Sequence, residues 1–208
     1  MIKALLLIFD TEATWDRIVA SQRKLGYVLV VHLLPLLILV GAAEGYGLMV
    51  WGKKRGLISS IHKFSLTEML TYEIMQFLLS LVVVFLGAKL LKSLGDTFHG
   101  RHSYSQAFVS VAYGLSPLFL MRIFDAFEFV PPVVSWAVGI VVSIMILYHG
   151  IPRIMLPDPP HAFGLYVMSS VLLLMTTGLV RFATMYYLAG KFPKVDEFVA
   201  QMLAHFAH

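Results

Sequence analysis

Residues 27–50 read YVLVVHLLPLLILVGAAEGYGLMV, an apolar stretch whose only carboxylate is Glu44. An α-helix rises 1.5 Å per residue, so a hydrocarbon core about 30 Å thick is crossed by about 20 residues. The stretch is long enough to span. Working outward from it, four more runs of the same character follow at residues 68–94, 106–124, 133–149 and 162–188. Five such runs in 208 residues leave little chain for anything outside a bilayer. The fold class expected is all-α, a polytopic membrane protein with five transmembrane helices.

Composition agrees. Apolar residues make up 59% of the chain and charged residues 13%, with a mean hydropathy of +0.81. Soluble domains carry about 25% charged residues, so this chain lacks the polar material to cover a surface facing water. The net charge of +4 is spread over loops and suits anionic lipid headgroups. It forms no dense basic patch with interleaved aromatics, which argues against a nucleic-acid partner. The absence of cysteine excludes disulfides, thiolate catalysis and cysteine-ligated metals. The opening MIKALLLIF is interrupted at Asp10 and Glu12, so no cleaved signal is expected and the first span serves as the insertion signal.

The chain divides into an interfacial helix at 1–24, a five-helix bundle at 26–190 and an amphipathic tail at 193–208, all in one membrane domain. In the first segment Asp10 and Thr11 are candidate caps, and Phe9 and Trp15 are candidate anchors at headgroup level. In the tail Val195, Phe198, Val199, Met202, Leu203 and Phe206 follow helical spacing, with Phe198 and Phe206 as anchors. Ser65 and Glu68 have capping-box spacing at the start of the second span. Residues 151–160 hold four prolines and are expected to leave helical geometry. Pro35 and Pro117 should bend the first and third spans. Small residues at Gly41, Ala42, Ala43, Gly45, Gly47, Gly114 and Ser116 allow close helix contact. No internal repeat of the inverted-transporter kind is found.

Ionisable residues inside spans are costly unless paired or hydrated, and are the first functional candidates. With five spans alternating in direction, Glu44, Glu73, Arg122, Asp125 and Arg181 all fall toward one face. Glu44, Glu73 and Arg181 should share a depth roughly 8–12 Å inside it. Arg181 is expected to face the bundle interior and meet Glu44, Glu73 or Asp125. In one reading these groups form a polar cavity for an ion, a headgroup or a small solute. In the other they are a structural ion pair between Arg181 and Glu44 or Glu73, with Arg122 and Asp125 merely snorkelling. Pairing alone satisfies the burial cost, which favours the structural reading. The pairs His99/His102 and His205/His208, and His149, lack acidic or cysteine partners at ligand spacing, so no metal and no cofactor are expected. No HExxH, P-loop, GxSxG or dinucleotide fingerprint occurs, and the reading is non-enzymatic. Lys and Arg are balanced between the two sides, so charge does not orient the chain.

Three motifs carry a family resemblance: Phe9-Asp10 with Thr14-Trp15-Asp16-Arg17-Ile18, then Ala112-Tyr113-Gly114-Leu115-Ser116-Pro117, then Leu147-Tyr148-His149-Gly150-Ile151-Pro152. Together with five spans in a short chain, they resemble the Yip domain family, five-span membrane proteins named for interaction with Rab-type GTPases. The resemblance implies a non-enzymatic bundle, a cytoplasmic N-terminus, and a role in membrane shaping or trafficking, with Tyr113, Gly114, Ser116, Pro117, Gly150 and Pro152 as motif residues. The chain is more similar to minimal prokaryotic members, which implies the cytoplasmic (inner) membrane; Rab binding is not carried over. The expected partners are membrane lipids and other integral membrane proteins or a larger complex, with a homo-oligomer left open. The alternative function is a small-solute or ion transporter built on the Glu/Arg cluster.

Overall fold

Every span must satisfy its backbone polar groups internally, and helix is the only local solution these sequences have. The computed structural model describes the backbone of residues 2–55, 60–98 and 102–188. Helix α1 (Ile2–Phe9) and helix α2 (Thr11–Ala20) precede five helices long and apolar enough to cross a membrane. These are span 1 (Leu25–Val50), span 2 (Leu66–Thr97), span 3 (Tyr104–Ala126), span 4 (Pro132–Met155) and span 5 (Pro159–Leu188). The protein is an all-α polytopic membrane protein. A short antiparallel ribbon, β1 (Lys53–Arg55) against β2 (Ser60–His62), links spans 1 and 2 and pairs Lys53 with His62.

Span 3 is the central helix: 72% of its apolar window is buried, against 28–44% for the other four. Span 2 packs against spans 1, 3 and 5, and span 4 against span 3, span 5 and α2. The core beneath them joins Leu36, Val84, Phe108, Leu115, Leu147 and Leu173, all fully buried. The outer surface is apolar too, with Ile38, Ile74, Met145, Leu179 and Phe182 exposed. Such a surface is covered without penalty by lipid or by another membrane-spanning surface, and not by water.

The capping box forms as spaced: the Ser65 hydroxyl accepts from the Glu68 N–H, and the Glu68 carboxylate accepts from the Ser65 N–H at 2.9 Å. The prolines act where expected. Span 1 loosens into a π-type turn at Leu29–Leu33 just before Pro35, and span 3 breaks at Leu115 just before Ser116-Pro117.

Three expectations change. Helix continues through Pro152 to Met155 and stops at Leu156, whose φ of 44° is left-handed. A proline removes one donor, but packing of span 4 on span 3, span 5 and α2 keeps the helix whole. In place of one helix over 1–24 the described chain has two short ones, Ile2–Phe9 and Thr11–Ala20, broken at Asp10, whose carboxylate accepts from Arg17 at 3.1 Å instead of capping α2. Trp15 is no headgroup anchor: it is fully buried, and its indole N–H donates to the Ile146 carbonyl at 3.0 Å. Phe9 is exposed. The amphipathic tail at 193–208, with Phe198 and Phe206, lies outside the described residues, as do His99, His205 and His208.

Candidate functional site

The intramembrane polar residues gather where spans 1 and 3 end and spans 2 and 4 begin. The hub is the last turn of span 3, Arg122–Ala126, which is 3₁₀ rather than α. With three residues per turn, side chains at i and i+3 eclipse, so Arg122 and Asp125 project from one side of the turn. Gly47 makes room for this turn, since a Cβ there would lie 2.3 Å from the Ala126 carbonyl oxygen.

Arg122 serves spans 1 and 2. Its Nη2 donates to Glu44 Oε2 at 2.6 Å and its Nε to the same oxygen at 3.0 Å, while Nη2 also reaches Glu73 Oε2 at 3.4 Å. The other Glu44 oxygen accepts from the Tyr72 hydroxyl at 2.9 Å, and Gln76 donates to that hydroxyl at 2.9 Å. Glu44 is 1% exposed, so this carboxylate is bound entirely by protein. Glu73 differs. Its Oε2 fits against Gly41, where a Cβ would approach to 2.9 Å, and its Oε1 is buried without a hydrogen-bond partner.

Asp125 serves spans 4 and 5. It accepts from the Arg181 guanidinium and from the Ser135 hydroxyl. Arg181 also donates from Nε to the Pro132 carbonyl at 2.9 Å and from Nη2 to Ser135 at 3.0 Å. Pro132 opens span 4, so its neighbouring backbone is a helix start and Arg181 ties span 5 to that start.

All five ionisable candidates therefore enter one layer. Arg181 faces the interior and meets Asp125, one of its three expected carboxylates, and not Glu44 or Glu73, while Arg122 is buried as the partner of Glu44 rather than snorkelling. The 3₁₀ turn holds Arg122 and Asp125 both buried, where snorkelling would have left them at the boundary. Three carboxylates face two guanidiniums, and the excess sits on Glu73.

Sequence reasoning passed over Tyr72, Gln76, Ser80 and Ser135. A signal for the first three existed: Tyr72, Gln76 and Ser80 recur every fourth residue and make one polar stripe on an apolar helix. Thr177, Arg181 and Thr184 draw a similar stripe on span 5. Between these stripes lies a cavity of about 40 Å³ lined by Gln76, Ser80, Arg122, Thr177, Arg181 and Thr184. It has the size and the donors to hold a few waters. A larger groove of about 480 Å³ opens between spans 1 and 2, with Glu73, Arg122, Gly41 and Tyr46 among its walls. Among the described residues no three His, Asp or Glu side chains converge as a metal site.

The motif residues sit toward the opposite face, where α2 meets the bundle. Ser116 receives a short contact from His32 Nε2 at 2.8 Å and donates to the Ala112 carbonyl at 2.9 Å, across the break in span 3. Gly114 admits Leu147, which would stand 2.3 Å from a Cβ there. Gly150 is the floor of the Trp15 seat, where a Cβ would lie 2.3 Å from the indole. Arg153 then closes the seat, reaching Asp16 at 3.1 Å and Glu12 at 3.2 Å. The three motifs are thus one contact: Trp15 of the first packs at Gly150 of the third and edge-on to Tyr113 of the second, 6.5 Å between ring centres.

No curated protein and no solved structure matches this chain. The Yip1 domain model matches residues 5–182, a range that runs from α1 through all three motifs to Arg181 and its neighbour in span 5, and the chain belongs to the Yip1 domain family.

Proposed function

We propose that this protein is a non-enzymatic membrane organiser that works through contacts with lipids and other integral membrane proteins, either shaping a bilayer or serving as an accessory subunit. The observation that carries this reading is the seat of Trp15. It fixes α2 to span 4 by a buried indole, a backbone hydrogen bond and the Arg153 ion pairs. Among the described residues, α1 and α2 lie on the face opposite the β1–β2 ribbon, and these contacts hold α2 against span 4. Added volume in one leaflet bends a bilayer, and a rigid attachment transmits that bend where a tethered helix would not. The internal pairing of Arg122 and Arg181 accords with charges used to order helices rather than to move a solute. The N-terminus is assigned to the cytoplasm and the membrane to the prokaryotic inner membrane, following the family resemblance.

The test is reconstitution of the full chain into phosphatidylcholine vesicles with electron microscopy and mild-detergent co-purification. Narrowed or tubulated vesicles, or a stoichiometric membrane partner, support the reading. Spherical vesicles and a solitary chain would remove it.

One observation favours a transporter as the second reading. Glu73 has an oxygen without a partner, and Arg122 beside it lines both the small cavity and the groove between spans 1 and 2. Ion or proton flux through proteoliposomes that disappears in Glu73→Gln is what this reading requires.

A further inference from the structure

A second pocket lies on the opposite side of the bundle from the Glu/Arg layer, between α1 and the first half of span 1. Its volume is about 350 Å³, and its walls are Lys3, Arg23, Tyr27, Val31, His32 and Tyr113, with Pro35 below. Both cations there lack an acidic partner. Asp10 is taken by Arg17, and Glu12 and Asp16 by Arg153, so among the described residues no carboxylate pairs with Lys3 or Arg23. They are held instead by aromatic faces: the Lys3 ammonium stands 5.9 Å from the Tyr113 ring centre and the Arg23 guanidinium 4.1 Å from that of Tyr27. Such contacts orient a cation without neutralising it. Burial, then the charges of Arg23 and Arg17, push the Lys3 ammonium down from its ordinary value. Positive charge is therefore concentrated and uncompensated.

The donors converge with the charges. Tyr113 lines the pocket, its ring is largely buried, and no other side chain or carbonyl among the described residues engages its hydroxyl. That hydroxyl is free to donate to whatever occupies the pocket. His32 is engaged with Ser116, Val31 and Pro35 are apolar walls, and Tyr27 and Val31 are also exposed on the outer surface of span 1. One side of the pocket thus opens where acyl chains lie.

We infer that this pocket binds the phosphate of an anionic membrane lipid, with Lys3 and Arg23 as charge partners, Tyr113 as a donor, and the acyl chains along Val31 and span 1. Arginine and lysine are the side chains suited to phosphate oxygens, and a tyrosine at this level bridges apolar and polar zones. A free phosphate would satisfy the same donors, but it would leave the apolar side unused. The inference rests on the lipid-contact part of the proposed function, and names the lipid class and the residues that select it.

Native mass spectrometry of the full chain in detergent tests this, with phosphatidylglycerol, phosphatidylcholine and inorganic phosphate as probes. Phosphatidylglycerol should be retained in preference to phosphatidylcholine, and the pair Lys3→Gln with Arg23→Gln should weaken that retention about tenfold or more. The pair Lys63→Gln with Lys89→Gln, an equal charge change at exposed positions elsewhere, should leave it unchanged. Lys3→Arg with Arg23→Lys should preserve it, which separates charge from folding. Equal retention of both lipids by the natural chain, or an equal effect of the two charge-removing pairs, would overturn the site. Inorganic phosphate displacing the lipid at equal concentration would overturn the lipid assignment. Lost selectivity with vesicle remodelling intact leaves the organiser reading standing; selectivity with neither remodelling nor a co-purifying partner sinks that reading alone.

Discussion

Inside span 5 the Arg181 guanidinium must hold an anion or water. Asp125, Ser135 and the Pro132 carbonyl supply that need. Removing one partner strands the other, so Arg181→Ala should cost about 3 kcal/mol in detergent unfolding assays. Arg181→Ala together with Asp125→Asn should cost less than the single change, and simple additivity would show that the pair is not coupled. Glu44 and Glu73 should separate in the same assay. Glu44 is bound on both oxygens, and Glu44→Gln should destabilise by about 2–3 kcal/mol. Glu73→Gln removes the unmatched charge and should cost under about 1 kcal/mol. Equal losses would mean that Glu73 has a partner in the membrane.

The elements depend on small residues at contact points. Gly150 faces the Trp15 indole at a distance that no Cβ tolerates, so Gly150→Ala should unseat α2 at a cost of about 1–3 kcal/mol. Trp15 fluorescence in a background of Trp51→Phe and Trp136→Phe should shift to the red; an unchanged spectrum would mean that α2 moves with span 4 as one body. At the other face, Lys53 fastens the ribbon by donating to the Phe127 and Val130 carbonyls at 2.9 and 3.0 Å. Burial pushes its ammonium below the ordinary value of 10.5. Between the folded and unfolded values the unfolded chain holds more protons, so stability should rise with pH across that alkaline window. Thermal unfolding against pH should therefore be steeper for the natural chain than for Lys53→Met. Parallel curves would mean that Lys53 titrates as if exposed.

For the whole molecule, the five spans put α2 and the β1–β2 ribbon on opposite faces, and the proposed orientation makes the α2 face cytoplasmic. The chain has no cysteine, so single-cysteine variants report cleanly. An impermeant maleimide added to intact cells should label Lys63→Cys and spare Ser21→Cys. The reverse pattern would invert the protein and move the proposed lipid pocket to the outer leaflet. Membrane thickness and helix rise constrain this architecture strongly, while the Lys/Arg balance constrains its direction hardly at all.

Much of the fold was legible from residues 27–50 onward, because an apolar run of spanning length has one stable structure in lipid. The capping box at Ser65 and Glu68 and the proline breaks at Pro35 and Pro117 were readable for a similar reason: each acts on backbone within one turn. The common depth of the buried charges also followed from counting residues along alternating spans. Tertiary structure alone decided which charge met which. Of three possible carboxylates Arg181 met Asp125, and Arg122 turned inward to Glu44 from a 3₁₀ turn that Gly47 leaves room for. Trp15 reads as an interfacial anchor by its place in the chain and became core because Gly150, distant in sequence, leaves a seat of its shape. Hydropathy and rise are properties of a single helix and can be summed along the chain. Partner choice depends on the rotation of each helix about its axis, which only contact with its neighbours determines.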